Sequence, residues 1–277
     1  MNLLQRIARS DSPKLQRPFR AFVGYMLQGT GFSDRIQLKR SQYTVPFFGR
    51  SNVALTLWVN PNVVDRAEEF VYDYLSEGAT LVDIGANIGC VTAAGSLAVG
   101  SDGQVYAIEP HPRTFSHLQK TVAVNHCDNV ICLNVAAGAT AGVVQFTDEK
   151  RKDDNNRVSL QATQGIEVPC VTLNSLVQEH RIARIDLLKI DVEGFEMRVL
   201  EGAADILDRV GCIYIEVLDH NLRKFGSSAS ELIRFLTQRG FACYQFRDDA
   251  SNVVAFAHGV PSKEWQAELI PVSITAT

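Results

Sequence analysis

Four short stretches of this sequence carry residues whose types and spacing could do chemistry. The first, Asp83-Ile-Gly-Ala-Asn-Ile-Gly89, follows a short apolar run. Its glycines permit a tight turn and close backbone approach. A turn that opens a helix also leaves amide donors free to hold a carboxylate. The dinucleotide fingerprint needs glycine at its first, third and sixth places. Those places hold Gly85, Asn87 and Cys90, so a pyrophosphate would meet side chains where it needs bare backbone. The second stretch, Glu109-Pro110, comes twenty residues beyond Gly89. An acidic residue ending a strand there suits hydrogen bonding to both hydroxyls of a ribose. Together the two stretches imply a nucleoside whose tail ends in an amine and a carboxylate. S-adenosyl-L-methionine fits that description.

The third stretch is Leu188-Lys-Ile-Asp-Val-Glu-Gly-Phe-Glu196. Lys189, Asp191 and Glu193 alternate and share one face of a strand until it ends. Asp191 and Glu193 emerge at its carboxyl edge, where carboxylates could stabilise a cation, orient an acceptor hydroxyl or accept its proton. Otherwise Asp191 caps the following helix and Glu193 is structural. In the fourth stretch His220 follows the next strand on the same edge, the best placed of six histidines for an acceptor-side base. His111, beside Glu109, is expected to shape the nucleoside pocket. Lys189 and Glu216 sit inside apolar strands that should be neighbours. A lone buried charge costs several kcal/mol, so the two are expected to pair across the sheet or converge on the site, unless each reaches solvent.

These residues must be positioned by the elements around them. From Thr80 onward strands and helices alternate: strand Leu81–Ile84, helix to Val99, strand Gln104–Glu109, helix Arg113–Asn125 and strand Val130–Val135. The rhythm pauses over Val143–Thr147, a charged run Asp148–Arg157 that could be a solvated loop or a lid, and a strand Ile166–Thr172. It resumes with helix Leu173–Arg181, strand Asp186–Asp191, helix Glu196–Asp208, strand Cys212–Leu218 and helix Ser230–Arg239. Phe241–Arg247 and Val253–Ala257 close as a hairpin around Asp248-Asp249. Alternation of this kind means a mostly parallel, doubly wound α/β sheet, with the hairpin adding an antiparallel strand. Ligands bind such sheets beyond the carboxyl ends of the strands, where strand order reverses. Before Thr80, residues 1–60 read as an extension: a basic amphipathic helix around Leu3, Leu4 and Ile7, then strands over Ile36–Val45 and Val53–Val59. Asn62 is the expected N-cap of a helix reaching Leu75, and residues 61–277 form the main domain.

At this point the chain resembles the FkbM family of S-adenosylmethionine-dependent methyltransferases. The resemblance is carried by Asp83–Gly89, Ile108-Glu-Pro-His-Pro112 with Asn125, Val171-Thr-Leu173 and above all Lys189-Ile-Asp-Val-Glu-Gly194, over roughly residues 60 to 220. Asn174 departs from the aspartate common in relatives. The family implies a Rossmann-like class I methyltransferase sheet and methylation of a hydroxyl, often on a sugar or a polyketide-type metabolite. By this resemblance Asp83, Gly85, Asn87, Gly89 and Glu109 line the cofactor, and Ala86, Pro110, Val135, Ala136 and Asp191, beside them or at neighbouring strand ends, are expected to join them. The catalytic set is then Asp191, Glu193 and His220. Alignment of acceptor oxygen, methyl carbon and sulfur at about 3 Å supplies much of the rate in such transfers. An NAD(P)-dependent oxidoreductase would require the Asn87 turn to tolerate pyrophosphate. A methyltransferase-like domain that only binds a partner retains the same motifs.

Composition narrows the field. In 277 residues, 46% hydrophobic and 21% charged, the content is that of a folded globular protein. The balance of 27 basic and 31 acidic side chains, a net −4, argues against a nucleic-acid partner. So does Asp191-Val-Glu-Gly, where methylases of base amines carry Asp or Asn with Pro-Pro and an aromatic. No apolar run approaches the ~20 residues of a membrane helix, though residues 1–20 could rest on a membrane surface if they do not pack on their own domain. Six cysteines without zinc spacing or a C-x-x-C pair read as reduced thiols of a cytoplasmic protein. No metal ligand set is evident. The acceptor is expected to be a small molecule or glycan unit.

Overall fold

The computed structural model describes residues 13–148, 156–159, 165–257, 265 and 267–272. The chain begins with α1 (Pro13–Gln28), a hairpin of β1 (Gln37–Lys39) and β2 (Thr44–Pro46), then α2 (Asn52–Val59) and α3 (Arg66–Tyr74). The main sheet follows as β3 (Thr80–Ile84), α4 (Cys90–Val99), β4 (Gln104–Ile108), α5 (Pro112–Val124) and β5 (Val130–Leu133). A small second sheet interrupts it, with β6 (Ala136–Ala137), β7 (Gly142–Phe146) and β8 (Ile166–Val171) in the order β6-β8-β7. Then come α6 (Leu173–Glu179), β9 (Ile185–Ile190), α7 (Glu196–Glu201), β10 (Val210–Glu216), α8 (Asp219–Leu222) and α9 (Ala229–Gln238). The chain returns to the main sheet with β11 (Ala242–Phe246), β12 (Asn252–Phe256) and β13 (Leu269–Pro271).

The main sheet runs β13-β11-β12-β10-β9-β3-β4-β5. β5, β4, β3, β9 and β10 are parallel, while β12 pairs antiparallel with β10 and β11 antiparallel with β12. Strand order therefore reverses between β3 and β9, which fixes where a ligand crevice opens. Leu81, Val82, Leu187 and Leu188 are fully buried in these strands, as expected of strands covered on both faces.

The doubly wound architecture and the terminal hairpin agree with the sequence reading, but several elements differ. Val53–Val59 is helical, not a strand. Ser51 caps it, its hydroxyl accepting from the Ala54 amide at 3.0 Å, and Leu55 and Trp58 pack on α1, where a Cβ on Gly24 would lie 2.6 Å from Trp58. A short run that is apolar but for Thr56 has too little period to separate strand from helix. The next helix is capped by Asp65, which accepts from the Ala67 amide at 2.8 Å, three residues beyond Asn62. Ile36–Val45 folds as two three-residue strands, not one. The Val130–Val135 strand ends at Leu133. Asn134 instead donates to the carbonyls of Glu109 at 2.8 Å and Pro110 at 3.0 Å, turning the chain out of the main sheet. α7 stops at Glu201, not Asp208, and its C-cap Gly202 lies against the Gly138 carbonyl, 2.0 Å from where a Cβ would sit.

The extension shares a core with the main domain: Phe47, Phe48, Ala54 and Leu57 form one buried cluster with Ile88, Ala93 and Ala94. Arg20 donates to the Trp58 carbonyl at 3.0 Å, and the Trp58 indole donates to the Arg20 carbonyl at 2.8 Å. The helix expected around Leu3–Ile7 and most of the charged run after Asp148 lie outside the described residues.

Candidate active site

The crevice between β3 and β9 is built from three tight backbone turns. After β3, Gly85, Asn87 and Gly89 all take positive φ, at 80°, 49° and 91°. Gly85 is required by contact: a Cβ there would lie 1.8 Å from the Asp191 carbonyl at the end of β9. Gly89 is the N-cap of α4 and has no side chain to satisfy the first-turn amides. After β4, Glu109 is only 6% exposed. One of its oxygens accepts from the Asn87 amide at 3.0 Å and the other from the His111 amide at 2.9 Å. The carboxylate is thus clamped between two turns.

Beneath the first turn lies a buried ionic group. Asp83 and Lys189 are in register on adjacent strands, 0% and 4% exposed. Lys189 Nζ stands 3.4 Å from Asp83 Oδ1 and 3.6 Å from Asp191 Oδ2, and donates to the Gly85 carbonyl at 2.9 Å. Thr92 donates its hydroxyl proton to Asp83 Oδ2 at 2.7 Å. Burial works to lower the Lys189 ammonium, but Asp83 and then Asp191 outweigh it and hold it above the usual lysine range. The expected pairing of Lys189 with Glu216 is therefore corrected. The lysine's partners are Asp83 and Asp191, because the Asp83 register brings that carboxylate to it directly.

Both residues still face the same cavity, of about 640 Å³. Of the residues singled out in the sequence, Gly85, Ala86, Asn87, Glu109, Pro110, Ala136, Asp191 and Glu193 line it. Asp83, Gly89 and Val135, also expected to line the cofactor, are not among the residues that line the cavity. His220 is exposed on α8 and is not brought to the cavity. His111 caps α5, its Nδ1 accepting from the Arg113 amide at 3.2 Å, while Nε2 lies 3.2 Å from Asp148.

Asp191 does not cap α7, whose N-cap is Phe195. Glu196 serves that turn instead, accepting from the Val192 amide at 3.1 Å and the Gly194 amide at 3.0 Å. Burial pushes its carboxyl up to about 7. Glu193 takes φ 58° and accepts from Asn221 at 3.2 Å. Glu216, at the end of β10, places Oε2 out of solvent with no hydrogen-bond partner. Further lining comes from places with no sequence signal: Val53 and Leu57 of α2, Asp65 and Arg66 at the start of α3, Phe146 of β7, and Ser251 and Asn252 at the start of β12. Only the Asp248-Asp249 hairpin could have pointed to the last group. Among the described residues no cluster of three or more His, Cys, Asp or Glu could hold a metal ion, and no helix is long and apolar enough to cross a membrane.

A sheet of this order, with a glycine turn and a clamped glutamate at its switch point, is an open doubly wound α/β domain with a crevice at the carboxyl ends of its strands. Residues 83–243 match the family described as the methyltransferase FkbM domain, and the chain belongs to it. The resemblance carried by Lys189–Gly194 is thereby borne out. The chain is 27% identical over 157 residues to hexuronic acid methyltransferase AglP of Haloferax volcanii, covering 55% of this chain and 63% of that protein. It is also 27% identical over 161 residues to Methyltransferase 1 of Beauveria bassiana, covering 50% and 64%. The matches thus span a little under two thirds of either relative. Among solved structures it resembles an rRNA methylase of Streptococcus thermophilus, with a TM-score of 0.43 and 14% identity over 70% of this chain and 96% of that one.

Proposed function

We propose that this protein is an S-adenosylmethionine-dependent O-methyltransferase that acts on a hydroxyl of a sugar, a glycan unit or a small metabolite. The observation that carries the reading is Glu109, whose carboxylate is fixed by the Asn87 and His111 amides at the rim of the cavity. A carboxylate so held can accept from two vicinal hydroxyls of a ribose, and a cavity of 640 Å³ falls within the ~300–1,000 Å³ of small-molecule sites. The residues therefore fit the cofactor. Glu109 would hold the sugar, the turn at Gly85–Ile88 and the first turn of α4 the amino-acid end, and Asp191 the positive charge. When bound, that cofactor supplies an electrophilic methyl group on a sulfonium.

The chain's own residues then orient and enclose. Ala136, Phe146 and Leu57 offer apolar wall that excludes water. Asp191 and Glu193 bound the side of the cavity where an acceptor hydroxyl would be aligned. The relative named for methylating a hexuronic acid supports a sugar as acceptor. The Asn87 side chain occupies the turn where a pyrophosphate would need open backbone, which argues against a dinucleotide.

Calorimetric titration separates these readings. Binding of S-adenosylmethionine and its thioether product, with none of NAD or NADP, is the expected result. Incubation with labelled cofactor and a panel of monosaccharides and glycans, followed by mass analysis, should give a product heavier by one methyl group. Binding of a dinucleotide without the sulfonium compound would overturn the proposal.

A further inference from the structure

Resting on that reading of the cavity, we propose that Glu216 is the group that takes the proton of the acceptor hydroxyl, and that a cation entering the cavity is what frees its carboxyl to do so. Ile215 is in register with Ile190, so Glu216 stands level with Asp191 one strand over; on its other side it is in register with Asn252 of β12. It lines the cavity, and its Oε2 is shielded from solvent without a hydrogen-bond partner. The other two carboxyls on that side are already engaged: Asp191 lies 3.6 Å from Lys189, and Glu193 accepts from Asn221. Glu216 is the one with a buried side-chain oxygen that no hydrogen bond engages.

Its surroundings hold it protonated. Asp191 and Glu193 face it from beyond β9 and Glu196 from α7, with Lys189 the opposing cation on β9. Lys189 is committed to Asp83, Asp191 and the Gly85 carbonyl. Round the same cavity lie Asp249, which accepts from Ser251 and Asn252, and Asp65 and Arg66 of α3, the arginine being paired with Asp248 and Glu268. Burial first, then the three carboxylates, push the Glu216 carboxyl up to about 9. A positive charge placed in the cavity reverses that field. The Glu216 proton then leaves to solvent, and the resulting carboxylate faces the acceptor. In the transfer, Glu216 takes the hydroxyl proton as the acceptor oxygen gains the methyl carbon. The electron pair of the broken carbon–sulfur bond stays on sulfur, so charge and atoms balance.

The test needs no acceptor. S-adenosylmethionine and the thioether S-adenosylhomocysteine, which lacks the sulfonium charge, are titrated into the full chain at pH 8 in two buffers of different ionisation enthalpy. Wild type should release about half a proton on binding the sulfonium, the amount freed when an opposite charge lowers such a group by roughly a unit, and much less on binding the thioether. Glu216→Gln, a neutral isostere, should bind the sulfonium with that release abolished. Equal release with both compounds in wild type would overturn the assignment, whether or not the variant folds; so would undiminished release in Glu216→Gln. Failure of wild type to bind either compound would instead remove the reading of the cavity, and this assignment with it.

Discussion

Exchanging Lys189 for methionine tests whether the floor of the cavity is held by charge. The lysine is 4% exposed and Asp83 0%, so neither can turn to water once its partner is gone. In Lys189→Met, Asp83 keeps the Thr92 hydroxyl at 2.7 Å but loses its cation, and the Gly85 carbonyl loses its donor. Removing one partner of a buried pair costs about 3–5 kcal/mol, against a total stability of ~5–15 kcal/mol for a typical domain. At roughly 2–4 °C per kcal/mol, Tm should fall by about 6–20 °C. Asp83→Asn in the same background removes the stranded charge and should restore part of the loss, giving a coupling of about 0.5–3 kcal/mol. Thermal melts at pH 7 followed by circular dichroism read both effects. The Lys189 ammonium is held above its unfolded value, so its contribution is complete below about pH 10.4 and lost only as pH rises through the folded value. A fall in Tm under 2 °C, or strictly additive losses for the two substitutions, would refute the reasoning.

The remaining predictions address the turns and the pH response. Glu109→Gln, which weakens a carboxylate's grip on a diol by about 1.5–3 kcal/mol, should reduce S-adenosylmethionine affinity roughly 10- to 150-fold by calorimetry; unchanged affinity would displace Glu109 from the proposed role. Gly85→Ala sets a Cβ 1.8 Å from the Asp191 carbonyl at φ 80°, so soluble yield and melting temperature should both drop sharply, and an unaltered melt would show the turn to be wrongly drawn. His117 is stacked on Phe48 at 4.2 Å, and burial pushes its imidazole down to about 4. Its neutral form stabilises the fold above pH 6.5, and that share is lost as pH falls towards 4. Glu196, raised to about 7, acts in the opposite sense: its share is present below about pH 4.5 and lost as pH climbs to 7. Urea midpoints of His117→Phe measured from pH 4.5 to 6.5 should therefore fall with pH more steeply than those of wild type; parallel curves would count against the buried imidazole.

Where chemistry and periodicity coincided, the sequence was readable. The turn at Asp83–Gly89, the glutamate after β4 and the acids after β9 announced themselves by type and by position at strand ends, and these meet at one cavity. Register was less accessible. Lys189 could be recognised as a buried charge needing a partner, but which strand supplied it depended on Asp83 standing directly opposite, a pairing fixed by the whole sheet. His220 looked well placed because it follows β10, yet two residues of chain after the strand suffice to turn the side chain outward on α8. Val53–Val59 failed for a different reason. Its residues are apolar but for Thr56, so the choice of helix was made by the Ser51 cap and by packing on Gly24, both invisible to periodicity.

The cavity wall formed by Val53, Leu57, Asp65 and Arg66 lies upstream of residue 83, where the family match begins. The stretch that marks this chain's kinship therefore supplies only part of the cavity lining, the rest coming from the segment before it and from Asp249, Ser251 and Asn252 after it. A hybrid that kept residues 83–243 and borrowed another relative's preceding segment would retain the glycine turn and the clamped Glu109 but present a differently shaped cavity to whatever enters it.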